Sequence, residues 1–222
     1  MISAPATSSN LDTRSLIVRD LGHVEYTRVW QDMRAFTDRR DAATRDELWL
    51  VVHPPVYTLG TNDRNEAFDN PGIPIVKTDR GGQITYHGPG QLIAYVLMDL
   101  RRRGWGVKHL VGALEQAVID LLAARGIVAA RRAGAPGVYV DGRKIAQLGL
   151  RVRRGASYHG LSLNVDMDHA PFRHIKPCGY AGLETTDLAT LVGRERADLS
   201  EVKTDLLAEL VRNLGYNHCS RS

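Results

Sequence analysis

The dipeptide Asp141-Gly142 separates two strand-like runs, residues 138–140 and 144–152, and a third such run follows at 158–165. Asp-Gly tolerates the positive φ angles of a tight two-residue turn, so the flanking runs fold back on each other as a hairpin. With a further short run at 127–130, the middle of the chain is committed to sheet. Just before it, Val107, Leu110, Val111, Leu114, Val118, Leu121 and Leu122 recur at the spacing of one helix face. That spacing predicts a helix over 107–125, with Gly126 as its stop.

The rest of the chain alternates in the same way. Residues 15–19 read as a strand. Tyr26, Val29, Trp30, Met33 and Phe36 mark one face of a helix over 23–40. Residues 47–52 form a buried apolar strand, and 53–64, opened by Pro54 and Pro55, a loop. Strands at 73–77 and 91–98 flank a glycine-rich segment. Helices follow at 186–192 and 200–214, the latter with Ser200 as N-cap and Gly215 as stop. Helices interspersed with hairpins specify an α/β (α+β) domain built on a mixed sheet.

At 222 residues the chain is long enough to bury its own core without a metal or disulfide. Its net charge is +4, with arginines bunched at Arg101 to Arg103, at Arg131 and Arg132, and at Arg151, Arg153 and Arg154. Such clusters fit a solvated basic face or one that steers an acidic partner. Only 6% of residues are aromatic and none interleaves with the arginines, which argues against a nucleic-acid groove. No apolar run approaches the roughly 18 residues of a membrane helix. Residues 1–10 lack the apolar stretch of an export signal, and 1–12 read as a disordered arm before one domain over 13–222. The two cysteines, Cys178 and Cys219, then suit a reducing cytoplasm.

Three segments could carry chemistry. In Arg80-Gly81-Gly82-Gln83-Ile84-Thr85-Tyr86-His87-Gly88-Pro89-Gly90-Gln91 the glycines let backbone approach a ligand, although the spacing is that of neither a phosphate loop nor a dinucleotide fingerprint. A structural hairpin and a binding loop both fit it. In Lys144-Ile145-Ala146-Gln147-Leu148-Gly149 a lysine opens an apolar strand; most such lysines face solvent, but one held among apolar neighbours gives up its proton more easily. In His159-Gly160-Leu161-Ser162 and the following Pro177-Cys178-Gly179, a thiol sits in a rigid turn with His174 and Lys176 nearby to favour a thiolate. A free cysteine is otherwise a small buried hydrophobe. Neither a C-x-x-C pair nor a His/Cys cluster at metal-ligand spacing is present.

Together with His53-Pro54-Pro55-Val56-Tyr57-Thr58-Leu59-Gly60, these segments resemble, in the same order, the motifs of the octanoyltransferase family, the lipoyl(octanoyl) transferases. The resemblance implies the fold of the biotin and lipoate protein ligase catalytic domain. It implies Cys178 as nucleophile and Lys144 as its partner in a Cys–Lys dyad. Acyl contacts are implied for Arg80, Gly81, Gly82, Gln83, Ile84, Thr85, Tyr86 and His87, for Gln147, Leu148 and Gly149, and for Gly160, Leu161 and Ser162. It further implies an octanoyl-acyl carrier protein as donor, with lipoyl domains of 2-oxoacid dehydrogenases and the glycine cleavage H protein as acceptors. No cofactor, nucleic acid or membrane is implied. The alternative is an ATP-dependent lipoate or biotin protein ligase of the same fold, which needs the lysine but no nucleophilic cysteine. A non-catalytic module that binds carrier or lipoyl domains would leave both residues without a purpose.

Overall fold

The computed structural model describes residues 15–63, 69–175 and 184–221. The arm expected over residues 1–12 therefore lies outside the described residues. In chain order the elements are β1 (Ser15–His23), α1 (Tyr26–Arg39), β2 (Asp46–Val52), β3 (Val56–Leu59), β4 (Ile75–Lys77), β5 (Thr85–His87) and β6 (Gln91–Leu97). Then follow α2 (Leu100–Arg103), α3 (Val107–Ala123), β7 (Ala130–Arg131), β8 (Gly137–Val140), β9 (Arg143–Arg153) and β10 (Ala156–Asn164). The chain continues through α4 (Ala170–Arg173), α5 (Leu188–Val192), α6 (Leu199–Asn213) and β11 (His218–Arg221).

Eight of these strands make one mixed sheet in the order β11-β1-β2-β6-β10-β9-β8-β7, and β4-β3-β5 make a small second sheet. Strand β1 runs parallel to both β11 and β2; the pairings from β2 to β7 are antiparallel. Both faces of the large sheet are covered, so β2 reads from Leu48 to Val52 as an apolar run rather than an alternation. Its Leu48 and Leu50 join Leu110, Leu114 and Val118 of α3 and Leu206 and Leu210 of α6 in one core. Its Trp49 and Val51 face the other way, against Tyr26, Val29 and Met33 of α1. The small sheet covers a third cluster that includes Tyr57, Tyr86 and Phe172.

The Asp141-Gly142 turn joins β8 to β9, and both residues have positive φ, 49° and 77°, as a turn matched to strand twist requires. Three expectations are corrected. The loop expected over 53–64 contains β3, whose Val56, Tyr57 and Thr58 are buried between β4 and β5; Pro54 and Pro55 lie just before it and remove no ladder donor. The run expected at 127–130 pairs only from Ala130, because the backbone of Ile127 is hydrogen-bonded to Leu122 in the helix exit and Val128 stays 88% exposed. Helix α6 is capped by Asp198, whose carboxylate accepts from the Ser200 and Glu201 amides, so Ser200 lies inside the first turn. Strand β11, short and exposed throughout, had no apolar period to betray it.

The arginine clusters are also less free than their spacing suggests. Arg102 and Arg40 both bind the buried carboxylate of Asp46, at 2.7 and 2.8 Å, and Tyr216 donates to its other oxygen. Arg103 donates to the Leu214 carbonyl and lies over the Tyr216 ring. Arg131 pairs with Glu115 and Arg153 with Asp38.

Candidate active site

Within the pairing of β8 and β9 the register slips between Val138 and Tyr139: Val138 opposes Ala146, while Tyr139 opposes Lys144. One extra residue in β9 makes a bulge, which reverses the alternation of side chains beyond it. Ile145 and Ala146 therefore both enter the core under α3, and Lys144 and Gln147 both line a cleft on the opposite face. Lys144 is only 3% exposed. Its ammonium lies 5.5 Å from the centre of the Tyr139 ring. Its backbone is clamped on both sides, the amide donating to Glu184 and the carbonyl accepting from Thr186. Gly137, at φ 140°, leaves the room the lysine stem occupies, since a Cβ there would run into Lys144 and the Ala146 carbonyl.

The cleft encloses about 590 Å³, counting the part open to solvent. Of the residues expected at the site, Arg80, Gly82, Gln83, Ile84, Thr85 and His87 line it from the glycine-rich segment. Gln147, Leu148 and Gly149 line it from β9, and Gly160, Leu161 and Ser162 from β10. Gly149 and Gly160 are directly paired across the two strands, and neither position has room for a Cβ: at Gly149 it would meet Arg80 and the Gly81 carbonyl, at Gly160 the Ala94 carbonyl. Arg80 lies across Gly149 and is held by donating to the Thr58 hydroxyl and carbonyl and to the Gln83 carbonyl. Two expected residues do not line the cleft. Gly81 donates to the Leu150 carbonyl and fastens the segment to β9; Tyr86 points away into the third cluster, because β5 alternates and the cleft takes Thr85 and His87. Cys178, Lys176, Pro177 and Gly179 lie outside the described residues.

The structure also brings in residues that the motifs missed. Tyr26, at the start of α1, and Ile93 and Tyr95 of β6 line the cleft, although their positions read only as helix face and buried strand. His159 has φ 61° inside a strand, a strained conformation for a residue with a Cβ. Its Nε2 lies 3.1 Å from Asp79, whose carboxylate also accepts from Trp30 and Tyr158. Burial pushes the Asp79 carboxyl up, but hydrogen bonds from His159, Tyr158 and Trp30 outweigh it and hold the group well below the usual carboxylate range.

The histidines here are kept neutral. Burial, with His53, Arg80 and His159 close by, pushes His87 down to about 3. Burial likewise pushes His53 down to about 4, and it lowers His159 despite Asp79. His87 is held by Gln91 at 2.7 Å, and His53 by Tyr95 at 2.8 Å. The result is a partly open cleft with a buried lysine and neutral imidazoles along its wall. Among the described residues no group of three or more potential metal ligands occurs, and no helix is long and apolar enough to cross a membrane.

Residues 25–211 match the family model of the lipoyl protein ligase A/B catalytic domain. An octanoyltransferase of Nitrosococcus oceani is 59% identical over 204 residues, which is 91% of this chain and 90% of the relative. One from Thiobacillus denitrificans is 62% identical over 178 residues, 80% of this chain and 82% of the relative. Among solved structures, lipoate-protein ligase A bound with ATP superposes with a TM-score of 0.73 at 15% identity, covering 93% of this chain and 88% of that one. Biotin protein ligase from Aquifex aeolicus, in complex with biotin and ATP, gives 0.58 at 13% identity, covering 89% and 69%. At these identities the two structures show a shared fold: the mixed sheet flanked by helices is that of the ligase catalytic domains.

Proposed function

The chain belongs to the lipoyl protein ligase A/B catalytic-domain family, and from that premise we propose that it is an octanoyltransferase of protein lipoylation working through Cys178 and Lys144. The donor is octanoyl-acyl carrier protein and the acceptor a lysine on a lipoyl domain, such as those of 2-oxoacid dehydrogenases and the glycine cleavage H protein. Residues 13–222 act as one catalytic domain in a reducing cytoplasm, where Cys178 stays a thiol.

The observation that carries this reading is the setting of Lys144. It is buried in the wall of the cleft, and its amide is bound to Glu184, six positions beyond Cys178 in the chain. A cation at that place favours the thiolate of a neighbouring cysteine. The Cys178 thiolate attacks the donor's thioester carbon, the carbonyl electrons move to oxygen, and collapse expels the pantetheine thiolate, which takes a proton from the Lys144 ammonium. The acceptor lysine, as a neutral amine, then attacks the acyl-enzyme. Lys144, now neutral, accepts the amine's proton, and collapse expels the Cys178 thiolate to leave an amide. Thioester exchange is nearly isoenergetic and thioester to amide is downhill, so no nucleotide is needed.

The competing reading is an ATP-dependent ligase acting on a free acid. An assay with octanoyl-acyl carrier protein and a lipoyl domain, stripped of ATP, separates the two. The transferase turns over under these conditions, whereas a ligase does not.

A further inference from the structure

The ladder between β9 and β10 ends at Ala146 and Leu163, short of Lys144. The Lys144 backbone is bonded instead to residues 184–186, which run beside it in the parallel direction. We infer that Asn164, the last residue of β10, is the positioning residue that holds this clamp on Lys144; the inference rests on the role proposed above for that lysine.

The Lys144 amide donates to the Glu184 carbonyl at 2.9 Å, and the Thr186 amide donates to the Lys144 carbonyl at 3.0 Å. Asn164 grips the same short segment, its Nδ2 donating to the Thr186 carbonyl at 2.9 Å. Its Oδ1 accepts from Gln91 Nε2 at 3.0 Å, on the residue directly opposite in β6. Gln91 Oε1 in turn lies 2.7 Å from His87 Nδ1. A carbonyl can only accept, so the Thr186 end fixes the direction of every bond in the row. Asn164 must turn its amide nitrogen to Thr186, Gln91 must donate to Asn164, and His87 must carry its proton on Nδ1. Asn164 and Gln91 are fully buried and Thr186 is nearly so. A buried polar row with its partners in place is rigid, and a carbonyl that loses its donor there is costly to leave unpaired. Without the Asn164 donor the segment 184–186 shifts to regain a partner, and the Lys144 backbone moves with it. The lysine stem has little slack to absorb that shift, since a Cβ on Gly137 would come within 2.4 Å of its Cε. Asn164 does not itself line the cleft, so its effect on the reaction runs through Lys144.

The test is single-turnover kinetics of both halves, octanoylation of Cys178 by octanoyl-acyl carrier protein and transfer to a lipoyl domain, in Asn164→Leu and Asn164→Asp. Beside it runs the pH profile of iodoacetamide alkylation, read at Cys178 by peptide mass. Leucine matches asparagine in size but offers no donor. Displacing a catalytic group by about an ångström costs on the order of a hundredfold, so Asn164→Leu should lower the saturating rate of both halves by about that factor. The half-saturating donor concentration should hardly change, and the alkylation midpoint should rise by about one pH unit as the ammonium draws away from the thiol. In Asn164→Asp the ionised side chain has no donor, whereas the protonated acid donates to the Thr186 carbonyl. Its rate relative to wild type should therefore climb as pH falls. Asp46→Ala, which breaks a buried ion pair away from the cleft, is the control for lost stability and should keep saturating rates near wild type. Saturating rates within about threefold of wild type in Asn164→Leu, an unmoved alkylation profile, or an equal slowing in Asp46→Ala would overturn the inference. Should the leucine variant not fold, a ratio to wild type that stays flat with pH in Asn164→Asp overturns it equally. Failure of the transferase reading looks different, because wild-type protein would then form no octanoyl adduct at all.

Discussion

Lys144 and Gln147 are an odd number of residues apart on one strand, yet both side chains enter the same cleft. In a regular strand they would lie on opposite faces, and one of the two would be lost to the core. The bulge opposite the Val138/Tyr139 step resolves this, and it also sends the adjacent Ile145 and Ala146 into the α3 core together. The lining of the cleft and the packing of the core are thus both served by one extra residue.

The proton-transfer role proposed for Lys144 would separate it from a simple cation. Arginine would keep the charge but stays protonated at any working pH. Lys144→Arg should therefore lose at least about a hundredfold in amide formation, the usual worth of general acid–base help, while slow self-acylation of Cys178 survives. Single-turnover measurement of each half checks this, with Lys144→Ala losing both. Near-normal transfer in the arginine variant would move the base to His87 or His159.

Acid should weaken the fold well before its carboxylates titrate. His87 and His53 are pushed down to about 3 and about 4 from an ordinary value of 6.5. Below pH 6.5 the unfolded chain binds protons that the folded chain refuses, so stability is fully present above that pH and falls as pH drops. Each histidine contributes up to about 1.4 kcal/mol per pH unit in that window. Urea unfolding at pH 7, 6 and 5 should show a loss that steepens between pH 6 and 5, and a smaller slope in His87→Asn. A flat profile would mean that the imidazoles are already charged in the folded state.

Much of this molecule was legible in advance, for identifiable reasons. Asp141-Gly142 announced its hairpin because few dipeptides accept two positive φ angles. The apolar periods of α1 and α3 were legible because each helix packs one face on the sheet, although Val107, at the start of α3, is 43% exposed. The residues around the cleft were expected from their resemblance to the family's motifs; the glycines and polar groups alone left a structural hairpin equally open. What was hidden depends on contacts distant in sequence. Asp79 meets Trp30, Tyr158 and His159 only after folding, and nothing beside it marks it. The bulge in β9 left no trace, since Ile145 and Ala146 are ordinary strand residues. Arg102 looked like surface because its partner, Asp46, lies 56 residues away.

That arginine belongs to the clearest structural hub outside the cleft. Asp46 is 1% exposed and bridges Arg40, Arg102, Tyr216 and the Asp99 amide, tying the starts of β2 and α2 to the ends of α1 and the chain. Removing one member of a buried ion pair leaves the others desolvated and uncompensated, which typically costs about 3–5 kcal/mol. Asp46→Ala should lower the thermal midpoint by at least about 6 °C, with saturating transfer rates close to wild type at temperatures where it remains folded. A shift of only a degree or two would show that the arginines find water instead.

The account turns on one covalent intermediate. Wild-type protein mixed with octanoyl-acyl carrier protein, without ATP or a lipoyl domain, should gain the mass of a single octanoyl group, seen by intact-mass spectrometry. Cys178→Ala should abolish both the adduct and transfer, whereas Cys219→Ala, which alters an exposed thiol on β11, should leave both nearly intact. An adduct that persists in Cys178→Ala, or that forms on wild-type protein only when ATP is supplied, would contradict it.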